Sequence, residues 1–220
     1  MRGKFHLVLA IGVLLTTCAC LAADETMVRE DFERKLADGW LWVRENPSAW
    51  RVTGHGLEVR SLPGNMWGPP NNAVNVLVRP LPNFTNSTLE IAVTIENRPT
   101  EQYEQADLVW YYDDSHMVKL GQELVDGKLS IVMGREEKDR TRTIAIIPLN
   151  SFKVRLRLTA SGGLLRGEFR LPEDEKWRLA GECDMPAKGE PKASLQTYQG
   201  PKTVEHWVKF TEFRVVKHSR

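Results

Sequence analysis

Alternation at a period of two runs through this chain beyond its first residues, and no other feature limits its folding as much. "TLEIAVTIEN" puts Leu89, Ile91, Val93 and Ile95 on one side of an extended strand. "KVRLRLT" sets Val154, Leu156 and Leu158 against Lys153, Arg155 and Arg157. A strand patterned in this way lies between a core and water, as in antiparallel sheets. Shorter runs of the same character follow one another: "WLWVRE", "GLEVR", "NVLVRP", "KLSIVMG", "RTIAII", "LLRGEFR", "KASLQTY" and "HWVKFTEFRVV". Turn chemistry separates them in "LPGNMWGPPNN", "NRPTEQ", "DDS", "ASGG", "LPEDEK" and "KGEPK". The best helical candidate, "REDFERKLADGW", holds its period for no more than two turns and reads equally as a strand followed by a turn. About a dozen short strands at spacings of roughly 8–12 residues predict an all-β fold, an antiparallel two-sheet β-sandwich of jelly-roll type.

The first residues follow another pattern. "MRGK" is basic, and "FHLVLAIGVLLTTCACLAA" is apolar and ends in small residues. This predicts a signal peptide over residues 1–22, with Cys20 and Ala22 at −3 and −1, because the apolar run falls short of the ~20 residues of a spanning helix. Export to the periplasm or the outside follows, with lipoprotein anchoring through Cys18 or Cys20 as the alternative. Cleavage of 22 residues from 220 leaves 198, residues 23–220, enough for a single domain with a real core. Arg2 and Lys4 leave with the leader, so 28 basic side chains face 29 acidic ones. That balance gives no reason to expect nucleic acid or an anionic membrane as partner. Cys183 remains alone, so no intramolecular disulfide forms, and its acidic neighbours make it a poor nucleophile. The sequons at Asn83 and Asn86 read as polar turn residues.

The hairpin "QADLVWYYDDSHMVKLGQE" carries most of the functional question. Lys119 and Glu123 are costly to bury without partners, so Val118 and Leu120 point inward. Asp107 likewise belongs outside, which turns Gln105, Asp107, Val109 and Tyr111 outward and Ala106, Leu108 and Trp110 inward. A three-residue loop "DDS", pairing Tyr112 with His116, keeps the faces consistent. On this reading Tyr111 is the ring free to meet a ligand, within a polar cluster of Gln105, Asp107, Lys119 and Glu123. A solvated charge lattice is the plain alternative.

"EQADLVWYYDDSHMVKLGQELVDGKLSIV" resembles the pattern "QAGLLVY-D--NYVKLG-E-VDG" of the concanavalin A-like lectin/glucanase superfamily. It is similar in particular to small bacterial domains of that superfamily and to the C-terminal concanavalin A-like domain of β-xylosidases. "LADGWLWVRENPSAWRVTGHGLEVRS", "NNAVNVLVRPLPNFTNSTLEIAV" and "EHWVKFTEFRV" match further pieces in the same order, so the resemblance spans Asp31 to Val216. Asp107 stands where the family has a small Gly, Val74 where it has Pro, and "EDEKW" where it has "DG-W". The resemblance implies that the outward face of the hairpin's sheet is concave and binds glycans. It also places Trp67, Asn71 and Asn72 of "LPGNMWGPPNN" beside that face, with His55 of "TGHG" as a further rim candidate.

The ligand-binding set is therefore Trp67, Asn72, Gln105, Asp107, Tyr111, Lys119 and Glu123, with a polysaccharide or oligosaccharide as partner and a monomer as the working unit. The retaining glucanases of the superfamily carry "E-x-D-x-x-E" on one strand. Here "ECDMPA" is a partial match without the last Glu, which leaves Asp107 and Glu123 as the catalytic candidates. No cofactor is expected. Many such sandwiches hold a structural calcium where the first and last strands meet, and Asp31 and Glu212 are the candidate ligands, equally readable as outward strand charges. Three functions follow: a non-catalytic glycan-binding module, a glycoside hydrolase or lyase, and a structural or protein-binding sandwich.

Overall fold

A computed structural model describes residues 24–219 except 86 and 188. The expected signal peptide and the sequon at Asn86 lie outside the described residues. Asn83 is the turn residue expected, its Oδ1 accepting from the Thr85 amide at 2.9 Å.

The described residues form fifteen strands in two antiparallel sheets. In chain order they are β1 (Glu25–Glu30), β2 (Leu41–Val43), β3 (Trp50–Val52), β4 (Leu57–Ser61), β5 (Val76–Pro80), β6 (Thr88–Glu96), β7 (Gln105–Asp113) and β8 (His116–Val125), followed by β9 (Lys128–Glu137), β10 (Arg140–Pro148), β11 (Lys153–Ser161), β12 (Leu164–Arg170), β13 (Arg178–Asp184), β14 (Lys192–Tyr198) and β15 (His206–His218). One sheet runs β13-β12-β11-β6-β15-β4-β3, with β1 also paired to β15. The other runs β10-β9-β8-β7-β14-β5-β2. "REDFERKLADGW" resolves as the end of β1 followed by irregular backbone. The strands β1, β3 and β13 lacked clear alternation in sequence, being short or edge elements with little apolar face.

The core lies between the sheets. Leu89, Ile91, Val93 and Ile95 of β6 and Val154, Leu156 and Leu158 of β11 are fully buried there, on the side that their alternation dictates. Trp110 joins them, with the Phe84 ring edge-on at 5.6 Å between centroids. Burial of each large side chain contributes about 1.5–3 kcal/mol, and with no disulfide among the described residues this packing holds the sandwich.

Candidate functional site

The β7–β8 hairpin has a two-residue turn, since Asp113 pairs with His116 and not Tyr112. A bulge between Tyr111 and Asp113 absorbs the extra residue. Tyr111 therefore pairs with Met117, Val109 with Lys119, Asp107 with Gly121 and Gln105 with Glu123, and the outward set is the one expected. On the neighbouring strand, Tyr198, Gln196, Ser194 and Lys192 continue the same face.

That face does not meet solvent over its middle. The loop between β4 and β5, residues 62–75, lies across it as a strap and makes a second core, with Met66 and Ala73 packed on Val76, Val78, Val109, Tyr111, Met117 and Tyr198. Several bonds fasten the strap. Arg44 donates to the Ala73 carbonyl at 2.6 Å and pairs with Asp114 at 2.6 Å. Asn72 Oδ1 accepts from the Asn65 amide at 2.9 Å. Gly68 N–H reaches Glu136 at 3.0 Å, and Asn71 reaches Asp139 at 3.0 Å. Asn71 and Asn72 thus serve the strap's own shape and its anchorage.

Tyr111 has to be corrected. Only 5% of it is exposed, its hydroxyl donates to Asp114 at 2.7 Å, and its ring is core beneath the strap. The hairpin pattern fixed which side the ring takes, while the cover comes from a loop some forty residues earlier. Asp107 is corrected for the same reason, being wholly buried. Among the described residues its oxygens find no hydrogen bond of good geometry, the nearby Tyr198 hydroxyl giving only a weak one. Burial pushes its carboxyl up to about 7, against the pull of Lys119 and with a further push from Glu123. Gly121 makes room for it, since a Cβ there would lie 1.9 Å from Asp107 Oδ1. A carboxyl sealed in this way cannot touch a substrate, so Asp107 and Glu123 do not form an accessible catalytic pair in this structure.

An opening remains at the end of the face near the start of β7. It is a cleft of about 490 Å³, and Trp67, Gln105, Lys119 and Glu123 of the expected set line it. The Trp67 ring lies flat against β9 because residue 134 is a glycine. A Cβ there would stand 2.3 Å from Trp67 Cη2. Lys119 Nζ sits 4.8 Å from the Trp67 ring centre, donates to Gln105 Oε1 and pairs with Glu123 Oε2 at 2.8 Å. A buried lysine with a carboxylate, an amide and an aromatic face around it has its charge compensated, which is how the strap can cover it. Gln105 in turn donates to the Tyr103 carbonyl at 2.9 Å.

Sequence reasoning missed the larger part of the wall, Asn65, Tyr103, Asp126, Thr143, Ile146 and Gln199 among it. Tyr103, 49% exposed, is the ring most open to solvent here. It sits in the turn before β7, outside any alternating run, and "NRPTEQ" signalled a turn without signalling its use. His55 lies on the other sheet, in a depression beside Thr94 and Lys153.

The calcium candidates do not fit a metal. Asp31 gives one oxygen to Arg29 at 2.9 Å and the other to Arg214 at 2.7 Å. Glu212 Oε2 takes Thr94 at 2.7 Å and Arg155 at 2.8 Å. Against the cost of burial, Arg214 and Arg29 hold the Asp31 carboxyl below its ordinary range, and the Thr94 hydroxyl, with Arg155 behind it, does the same for Glu212. No group of three or more metal-ligating side chains occurs among the described residues. For Cys183, burial first of all pushes the thiol up to about 11.

Residues 29–203 match the family model of the β-xylosidase C-terminal concanavalin A-like domain. The chain belongs to this family. No protein of curated function matches it in sequence. Among solved structures, this concanavalin A-like domain is similar to the GH43 protein BlXynB of Bacillus licheniformis, at 18% identity and a TM-score of 0.74, over 86% of this chain and 39% of that one. The xylan β-1,4-xylosidase of Bacillus halodurans gives 18% and 0.73, over 85% and 38%. A functionally unknown protein of Saccharomyces cerevisiae gives 16% and 0.64, over 80% of this chain and 95% of that one. The domain thus spans about two fifths of the length of the two bacterial proteins, and at these identities the likeness is one of fold.

Proposed function

We propose that this domain is an exported, non-catalytic glycan-binding module whose cleft beside Trp67 takes part of a polysaccharide chain. One observation carries the reading. At the end where the strap leaves the sheet open, two aromatic rings share a cleft with a cluster of amides and carboxylates. Trp67 and Tyr103 offer flat apolar faces to sugar C–H groups, while Asn65, Gln105, Gln199, Glu123 and Asp126 supply donors and acceptors for hydroxyls. Membership in a family that forms part of β-xylosidases, and a relative named for xylan, support saccharides as the ligand class.

Tryptophan fluorescence titrated with plant and bacterial polysaccharides, beside a reducing-sugar assay, tests this. A saturable shift without new reducing ends is expected. Tyr103→Ala should weaken it roughly tenfold, about 1.4 kcal/mol, with the melting temperature unchanged because Tyr103 is exposed. New reducing ends would make the protein a glycoside-active enzyme. Silence in both assays would leave a structural or protein-binding sandwich.

A further inference from the structure

The outward face of the other sheet, across the molecule from the cleft, carries a row in cross-strand register. Arg51, Glu58, Lys209, Glu96 and Lys153 stand side by side on β3, β4, β15, β6 and β11. The row crosses four inter-strand spacings of ~4.8 Å, about 19 Å in all. Its signs alternate, and a self-neutralising lattice is the ordinary expectation for such a row. One end obeys it, with Arg51 2.6 Å from Glu58. The rest does not. Among the described residues, Lys209, Glu96 and Lys153 enter no ion pair and no side-chain hydrogen bond.

Three depressions run together along this row. One of about 450 Å³ holds Asn97, Arg98 and Trp207 and shares Glu96 and Lys209 with a second of about 370 Å³. The second shares Thr94, Lys153 and Glu212 with a third of about 180 Å³, at Arg155 and Arg170. The result is a continuous trough. Its remaining carboxylates are committed: Glu205 to Arg60 at 2.9 Å and Glu212 to Arg155 at 2.8 Å. Arg98 rests on Phe152 and Arg170 on Trp177, with no carboxylate partner for either among the described residues. Arg98, Lys209 and Arg170 thus have no committed carboxylate among the described residues, and Lys153 has only the longer-range attraction of Glu212, itself paired with Arg155; Glu96 is the one carboxylate left uncommitted. In a chain of balanced charge this is a local excess. A further polar group in the trough wall lacks a partner: Asn97 is 3% exposed, and its side-chain Nδ2 has no hydrogen-bond acceptor.

We propose that this trough binds an anionic polysaccharide, one that carries carboxylates at intervals along a hydroxyl-rich chain. Lys209, Lys153, Arg98 and Arg170 meet the carboxylates, and Glu96 and Asn97 meet hydroxyls. The site shares no residue with the cleft, although the choice of a saccharide rests on the glycan-binding reading. Nucleic acid fits less well. Glu96 stands between Lys209 and Lys153, where a strand would bring a phosphate on every unit, and the Trp207 ring is stacked by Arg51 at 4.2 Å, not bare for a base.

Native electrophoresis of the purified protein through gels containing polygalacturonate, neutral dextran or dextran sulfate tests the proposal, with labelled oligothymidylate as a fourth probe. Retardation by polygalacturonate and not by dextran is expected, fading as salt is added. Lys153→Gln with Lys209→Gln should weaken it at least tenfold. Glu96→Gln should strengthen it severalfold, a gain that a misfolded variant could not show. Tyr103→Ala should leave it unchanged, which separates this site from the cleft. The proposal fails if polygalacturonate does not retard the protein, if the lysine and glutamate variants behave like wild type, or if dextran sulfate or oligothymidylate binds equally well.

Discussion

Asp107 shows what one buried carboxyl does to a whole protein. Its folded value of about 7 lies above the ordinary 3.8, so the fold keeps a proton that the unfolded chain releases. Between about pH 4 and pH 7 the native state binds more protons than the unfolded state, so this group makes stability fall as pH rises through that window and level off above it. Asp107→Asn should remove that slope and leave the protein more stable at pH 8, by up to a few kcal/mol at ~1.4 kcal/mol per unit. Melting temperatures of both proteins from pH 4 to 8 decide the matter, and parallel profiles would refute it. Gly121 belongs to the same knot. An added Cβ would also stand 2.4 Å from the Ala106 carbonyl, which is backbone and cannot step aside. We expect Gly121→Ala to cost about 1–3 kcal/mol in denaturant unfolding.

Among the elements, the β7–β8 hairpin was legible in detail and the strap was not. Lys119, Glu123 and Asp107 settled the faces by parity, and the bulge at Tyr112 preserved that result through a turn one residue shorter than expected. Parity gives a side, though, and says nothing of what lies on it. "LPGNMWGPPNN" announced a stiff loop with a tryptophan, but Met66 and Ala73 as core residues follow only from where the loop lands. Arg44 is the bolt. It touches Ala73, Met66 and both oxygens of Asp114. Arg44→Ala should loosen the strap by about 1–3 kcal/mol. Amide hydrogen exchange should quicken across residues 62–75 while β6 and β11 keep their protection; equal acceleration in both would mean that the strap is not a separate unit.

For the molecule as a whole, the sandwich was readable because a period of two is a local property that each strand repeats for itself. The cleft was readable in part, since Trp67, Gln105, Lys119 and Glu123 sit on or over the strands that the pattern identified. Tyr103 and Gln199 reach it from turns whose destinations no local pattern records. The strap has one more consequence, in time. Its fastenings join residues far apart in the chain: Arg44 to Asp114 across seventy positions, and Gly68 to Glu136 across sixty-eight. Such closures are slow to find and gain nothing until both ends are in place. Because the strap packs on β7, β8 and β9, we expect it to seat after they have paired, with Trp67 coming to rest on Gly134 late in the process. In stopped-flow refolding, the emission change lost in Trp67→Phe should trail the circular dichroism of the sheets, making that one indole a clock for the last step of assembly.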